Sequence, residues 1–454
     1  MEWNHKTVLV IGTGISGISA VGALLRVQAC PILFDENTTL QPEKIQTQLP
    51  TDREVPLILG ELPEKLIDKI ELVILSPGVP LTCQTVILCK QKHIPIWGEI
   101  ELAYQLSKGA VLAITGTNGK TTTTSLLGQI MSDTYDSVYI VGNIGNPYTD
   151  IVADTTEDSI TVAEISSFQL ETIHSFRPKI SAILNITPDH LNRHKTMEHY
   201  IALKESIAKN QTAEDTVVLN YEDPYTQAFG KITSAQVLYF SSQRTLERGI
   251  YLKDETIWLA DGIHNPILVM NIHDMSLMGL HNVENVMAAI GMAYSYGVPL
   301  TNIVATVRAF RAVEHRIEYV ATKKGVDYYN DSKGTNPDAA IKGIQAMNKP
   351  TYLIGGGYDK QNEYDAWIEA FDGKVQRLVL IGQTREQIAT CAREHGFMDI
   401  TMADTLEEAM KFCEEHAKQG EAVLLSPACA SWGMFPNYEV RGQQFKDYVN
   451  QIKE

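Results

Sequence analysis

The chain has 454 residues, 44% apolar and 20% charged, a globular profile with room for more than one core, which excludes disordered, collagen-like and coiled-coil classes. Acidic residues outnumber basic ones, 55 to 38, for a formal charge of −17, so no nucleic-acid or anionic-membrane partner is expected. Six scattered cysteines without a CxxC pair fit free thiols, a reducing cytoplasm and no zinc site.

Short Val- and Ile-rich runs alternate with helix-length segments, the pattern of parallel α/β sheets. The uncharged stretch Thr7–Leu25 is long enough to span a membrane, but Gly12, Gly14, Gly17 and Gly22 make it a poor span, and no signal peptide is read before it. Strands are predicted over Lys6–Gly12, Cys30–Asp35, Pro56–Gly60, Glu71–Gly78 and His93–Gly98, and residues 1–97 are expected to form one doubly wound domain. A second block, 98–311, opens with a strand, Gly-containing turn and helix start at Ala110–Thr122. It continues through Ile160–Ser167 and Lys179–Thr187, with short strands between Thr216 and Met270 expected to be antiparallel. Helices over Val283–Tyr296 and Pro299–Phe310 close it. The third block, 312–454, repeats the α/β pattern with strands in Arg316–Val320, Val326–Ser332, Pro350–Gly357, Arg377–Gly382 and Glu421–Pro427, then an amphipathic helix from about Glu439.

Two Gly-rich turns carry chemistry. Gly12-Thr-Gly14-Ile-Ser-Gly17 follows a strand, opens a helix and precedes Asp35 at the end of the next strand, as in dinucleotide-binding sites. Alone it is compatible with a redox cofactor, another phosphate ligand or a plain tight turn. Gly116-Thr117-Asn118-Gly119-Lys120-Thr121-Thr122 is a shortened phosphate loop, with Ile114 where the longer motif has its first glycine. Its amides and helix start can hold phosphates, Lys120 can reach the β and γ oxygens, and Thr121 can ligate Mg²⁺. Glu164, on the next predicted strand, is a candidate Mg²⁺ ligand or a buried ion-pair partner. Asn185–His194 clusters Asp189, His190, Arg193 and His194 after another strand; the His190–His194 spacing alone is weak support for zinc.

Taken together, Gly116–Thr122, Gly142–Pro147, Ala163–Glu171, Asn185–His194, His281–Asn285, His315–Arg316, Asn330–Ala339 and Leu424–Gly442 resemble the Mur ligase family, in order and over essentially the whole chain. The resemblance implies an α/β protein of three domains: a Rossmann-like UDP-binding domain, a central P-loop ATPase-like domain and a Rossmann-like C-terminal domain. It implies ATP-dependent addition of D-glutamate to UDP-N-acetylmuramoyl-L-alanine through an acyl phosphate, with ATP and Mg²⁺, by a cytoplasmic protein expected to be a monomer.

Residue by residue, the resemblance places Lys120, Glu164, His190 and Lys204 at the catalytic centre, with Thr121, Glu164, His190 and a carbamylated Lys204 around metal. ATP would meet Gly116, Thr117, Asn118, Gly119, Lys120, Thr121, Thr122, Asn282, Arg316 and Asp331. The UDP-linked substrate would meet Ser16, Gly17, Asp35, Gly78 and Asn143, and D-glutamate would meet Thr335, Lys360, Ser431 and Tyr438. Cys429 reads as a buried thiol, since no positioned histidine accompanies it. Three other readings stand beside this one: folylpolyglutamate synthase or a sister Mur ligase, a dehydrogenase argued from Gly12–Gly17 alone, and a non-catalytic sensor of the muramoyl precursor. The dehydrogenase leaves the phosphate loop and Glu164 without a role, and a sensor has no need of a metal–phosphate centre.

Overall fold

The computed structural model describes residues 2–49, 54–311 and 314–453. Its strands form three sheets. The first comprises β1 (Thr7–Ile11), β2 (Cys30–Asp35), β3 (Leu57–Leu59), β4 (Leu72–Leu75) and β5 (Ile96–Gly98), all parallel in the order β3-β2-β1-β4-β5. Val8, Leu9 and Val10 are fully buried, which is why the central strand reads as a continuous apolar run without alternation.

The second sheet has nine strands: β6 (Ala110–Thr115), β7 (Val138–Gly142), β8 (Ile160–Glu164), β9 (Ile180–Ile183), β10 (Thr216–Asn220), β11 (Gln236–Ser241), β12 (Arg248–Lys253), β13 (Thr256–Asp261) and β14 (Ile267–Asn271). Their order is β14-β13-β12-β11-β10-β9-β6-β8-β7. The antiparallel expectation for Thr216–Met270 is corrected in part: β10, β11 and β12 extend the parallel sheet, and antiparallel pairing is confined to β12-β13-β14. The tight turn at Asp254 and Glu255, both with positive φ, makes that reversal.

The third sheet contains β15 (Glu318–Lys323), β16 (Val326–Asn330), β17 (Thr351–Gly355), β18 (Val375–Leu380), β19 (Ile400–Met402) and β20 (Ala422–Leu425), in the order β15-β16-β20-β17-β18-β19. Only β15, at one edge, is antiparallel to its neighbour. By compactness the chain divides into two units, Met1–Ile272 with Glu284–Arg308, and His273–Val283 with Ala309–Glu454. The first two sheets share the first unit; the third sheet makes the second.

Candidate active site

In the second sheet the phosphate-loop strand β6 lies between β8 and β9, so loops leaving the carboxyl ends of all three converge, where α/β sheets bind ligands. The chain leaves β6 through Gly116 (φ 150°) and Gly119 (φ 86°) before the helix Lys120–Ser132. A Cβ on Gly119 would stand 2.1 Å from Asn285 Oδ1, so close packing as well as backbone conformation requires glycine. Asn185 fastens the loop from the β9 side: its Oδ1 accepts from Asn118 N at 2.8 Å and its Nδ2 donates to Asn118 O at 3.1 Å. Thr117 Oγ1 donates to Thr187 O at 3.1 Å, and Thr187 N donates back to Thr117 Oγ1 at 3.0 Å.

Two lysines converge on this turn. Lys120 Nζ donates to Gly116 O and Thr117 O, both at 2.8 Å, and Lys204 Nζ donates to the same Gly116 O at 2.7 Å. Lys204 sits in the last turn of the helix Met197–Glu205, which Thr196 caps, and is 1% exposed. Burial, reinforced by the nearby Lys120 charge, pushes its ammonium well below the usual lysine range. The amine is therefore readily neutral, the form that can act as a nucleophile.

Glu164 ends β8 and is 1% exposed; Oε1 accepts from Asn143 Nδ2 at 2.7 Å, while Oε2 is buried without a hydrogen-bond partner among the described residues. An orphaned carboxylate oxygen is costly unless a cation takes it, and a hard oxygen donor suits Mg²⁺. Ser166 and Gln169 form a reciprocal capping box immediately after Glu164 and set the exit of that strand. His190 is in the left-handed region (φ 52°), part-exposed, with its ring 4.9 Å from that of Phe168. His194 is buried, lies 3.0 Å from Ser167 Oγ through Nε2, and is pushed down to about 4 mainly by burial. The two histidines thus differ: His190 is part-exposed, whereas His194 is buried beside Glu171 (Nδ1 to Oε1, 3.5 Å) and burial favours its neutral form.

The first sheet repeats the arrangement around β1, which lies between β2 and β4. Ser16 and Gly17 occupy the first turn of the helix Ile15–Arg26, and a Cβ on Gly17 would come within 1.9 Å of Gly12 O. Asp35, at the end of β2, accepts from Thr13 N at 3.1 Å, Thr13 Oγ1 at 2.9 Å and Asn37 N at 3.0 Å. It is engaged in holding the Gly-rich turn, where a dinucleotide-binding protein would offer it to a ribose. Gly78, after β4, has open space where a Cβ would be, and its carbonyl accepts from Arg193 Nη1 at 3.4 Å. Asn143, expected beside the UDP-linked substrate, bonds to Glu164.

In the third sheet, β16, β20 and β17 are adjacent, and Thr335, Ser431 and Lys360 follow their carboxyl ends. An antiparallel bridge between Tyr358 and Ala430 joins two of those loops, and Lys360 Nζ lies 5.3 Å from the centre of the Trp432 ring. Ser431 is buried. Tyr438 begins the last helix, Tyr438–Gln451, with Lys333 Nζ 5.1 Å over its ring. Asp331 is buried, accepts from Ser426 Oγ at 2.7 Å and is raised to about 7 by that burial; Arg316 opposes the rise. Asn282 donates to Met278 O at 2.7 Å.

Residues 6–98 match a model described as the Mur ligase MurD-like N-terminal domain, 114–293 the Mur ligase middle domain, and 315–429 the Mur ligase glutamate ligase domain. Curated relatives named UDP-N-acetylmuramoylalanine–D-glutamate ligase are 56% identical in Lachnospira eligens, 55% in Lachnoclostridium phytofermentans and 46% in Clostridioides difficile, each over 100% of both chains. The chain belongs to the Mur ligase family. Its fold is also that of UDP-N-acetylmuramate-alanine ligase MurC from Thermotoga maritima (17% identity, TM-score 0.61, 99% of this chain and 100% of that one). A MurF ligase from the same organism, solved in complex with ADP, matches at 17% identity with a TM-score of 0.59, over 99% and 96% of the two chains.

Two arginines of this Mur ligase organise the sites: Arg193, which the sequence offered only as a member of the Asn185–His194 cluster, and Arg441, which it did not single out. Arg193 reaches Glu171 through Nε and Nη2 (3.2 and 2.6 Å) and Val79 O through Nη2 (3.1 Å), linking the segment after β9 to the loop after β4. Arg441 is fully buried: Nε donates to Ser332 Oγ at 3.0 Å, Nη2 to Ser332 O at 2.8 Å and Nη1 to Cys429 O at 3.2 Å. It thereby ties the loop after β16 to the loop after β20. A signal for it existed, since Arg441, Phe445 and Val449 recur every four residues on one buried helix face, where a lone cation needs an explanation. Cys429 is indeed a buried thiol, 3.1 Å from Tyr364 Oη and 3.3 Å from Thr384 Oγ1.

Proposed function

We propose that the chain is an ADP-forming ligase that joins D-glutamate to UDP-N-acetylmuramoyl-L-alanine, acting as a cytoplasmic monomer in peptidoglycan precursor synthesis, with blocks 1–97, 98–311 and 312–454 as its three domains. The observation that carries the reading is the meeting of Lys120 and the buried, readily neutral Lys204 on Gly116 O, at the carboxyl end of the phosphate-loop strand. Full-length identity to relatives bearing that enzyme's name supports the choice of substrates. No helix among the described residues is long and apolar enough to cross a membrane.

A carboxylate is a poor acyl donor, and transfer of the γ-phosphoryl group of ATP to the alanyl carboxylate supplies the leaving group. The loop amides and Lys120 orient the phosphates and neutralise charge on the transferring group. Thr121, Glu164, His190 and Lys204, the last as a carbamate, would hold Mg²⁺. When bound, Mg²⁺ supplies further neutralisation of that charge. The neutral amine of D-glutamate then attacks the acyl carbon, the amide bond forms, and phosphate leaves with the oxygen it took from the carboxylate. Thr335, Ser431 and Lys360 offer hydroxyl and cationic donors for the two carboxylates of the amino acid, while Ser16, Gly17 and Gly78 serve the UDP-linked substrate. The test is isotopic: UDP-N-acetylmuramoyl-L-alanine labelled with ¹⁸O in its alanyl carboxylate should pass one label to inorganic phosphate per turnover. Unlabelled phosphate would refute the acyl-phosphate route.

A further inference from the structure

Away from the sites described above, two short helical segments of the second unit bring unlike metal-binding side chains together. Asp365 and Glu369 are one turn apart on the helix Asp365–Glu369; Cys391 and His395 are one turn apart on the helix Arg385–Glu394 and its C-terminal cap. One candidate ligand atom from each of Asp365, Cys391 and His395 lies within 4.8 Å of the other two. His395 Nε2 is 3.6 Å from Asp365 Oδ1 and 3.7 Å from Glu369 Oε1, while Nδ1 is 3.0 Å from Cys391 O.

The Nδ1 contact fixes the tautomer. A carbonyl oxygen can only accept, so Nδ1 carries the hydrogen and, in the neutral ring, the Nε2 lone pair faces two carboxylates. That arrangement is repulsive unless a cation or a proton lies between them. Tetrahedral coordination with bonds of about 2.0–2.3 Å places ligand atoms about 3.3–3.6 Å apart; the Nε2–carboxylate separations are already close to that range, while the Cys391 thiol, 4.0 Å from Nδ1, has to turn toward Nε2 to join them. A cavity of about 440 Å³ opens beside the cluster and is lined by Glu363, Asp365, Cys391 and Glu394, giving a cation an acidic approach.

We propose that Asp365, Glu369, Cys391 and His395 form a binding site for a divalent transition metal of the zinc class, stapling the two helices together. The nitrogen, sulfur and oxygen donor set favours such an ion over Mg²⁺ or Ca²⁺. The Cys391 thiol, held protonated by burial and by the carboxylates of Asp365 and Glu394, gives up one proton to solvent as the metal–sulfur bond forms. The sequence disguises the site: the ligands come in two pairs spaced i,i+4, more than twenty residues apart, with no CxxC.

The test uses the full-length protein with excess Mg²⁺, titrated anaerobically with Co²⁺. Binding of one Co²⁺ per chain at micromolar strength or tighter is expected, with a thiolate-to-cobalt charge-transfer band that Zn²⁺ abolishes stoichiometrically. Cys391→Ser should lose the band, and His395→Gln should weaken binding by at least about tenfold, both with unchanged near-ultraviolet circular dichroism. Should Cys391→Ser not fold, the exposed pair Asp365→Asn with Glu369→Gln must weaken binding comparably. Absence of the charge-transfer band in the wild type, its survival in Cys391→Ser, or unaltered affinity in His395→Gln or in the double carboxylate variant overturns the site, and the His395–carboxylate contacts are then proton-mediated ion pairs.

Discussion

Replacing Lys204 by Met separates catalysis from stability. The side chain is fully buried and, among the described residues, makes one hydrogen bond, to Gly116 O. Loss of a single hydrogen bond costs about 1 kcal/mol net, and the acceptor is not orphaned because Lys120 Nζ remains 2.8 Å from it. Against that loss stands a gain. The folded state holds the Lys204 proton more weakly than the unfolded chain does, so at pH 7, below the ordinary value of 10.5, the native lysine costs stability. That cost shrinks as pH rises toward 10.5 and is absent in the Met variant, whose straight apolar side chain fills the same space. In CO₂-depleted buffer, urea denaturation at pH 7 should therefore place Lys204→Met within about 1 kcal/mol of wild type or above it, with its advantage falling as pH rises. ADP release should at the same time drop below detection, and a short carboxylate such as formate should restore part of it to Lys204→Ala by replacing the carbamate oxygens. Near-normal turnover in Lys204→Met, or inactivity accompanied by a loss of more than about 3 kcal/mol, would refute the reasoning.

Gly17→Ala forces a Cβ to 1.9 Å from Gly12 O, and titration should show the UDP-linked substrate binding at least about tenfold more weakly, a cost of about 1.4 kcal/mol, with ATP binding unchanged. Asp331, raised to about 7 from 3.8, keeps a proton in the folded state that the unfolded chain gives up, so wild-type stability should fall across that window by about 1.4 kcal/mol per pH unit. Asp331→Asn should lack this fall, and parallel pH profiles in urea denaturation would contradict the assignment. Arg441→Met strands the carbonyls of Ser332 and Cys429, and its urea midpoint should report a loss of at least about 3 kcal/mol; a smaller loss would mean that those loops are fastened elsewhere.

The strands of all three sheets were readable wherever burial on both faces produced a continuous apolar run, as in Ala110–Thr115 and Cys30–Asp35. Val138–Gly142 was missed although its apolar run lies between Asp136-Ser137 and Gly142-Asn143, and the three-residue strand Ile400–Met402 is too short to present such a run. Pairing direction was read less well: composition does not distinguish β10 and β11, which continue a parallel sheet, from β12 to β14, which close it. Lys120 and Glu164 were found through motifs, and Lys204 only through the family resemblance. Their convergence was not, because it depends on β8 and β9 flanking β6, a property of strand order. Arg193 and Arg441 act on backbone carbonyls distant in sequence, and no local spacing encodes those partners.

The most direct test of the central claim is ADP release measured with ATP, Mg²⁺, UDP-N-acetylmuramoyl-L-alanine and D-glutamate together and with each omitted in turn, with the nucleotide-linked product weighed by mass spectrometry. Sustained release only with the complete mixture, and a product heavier than the acceptor by one glutamyl residue, is the predicted result. ADP release that is indifferent to D-glutamate, or an acceptor of unchanged mass, would contradict the assignment.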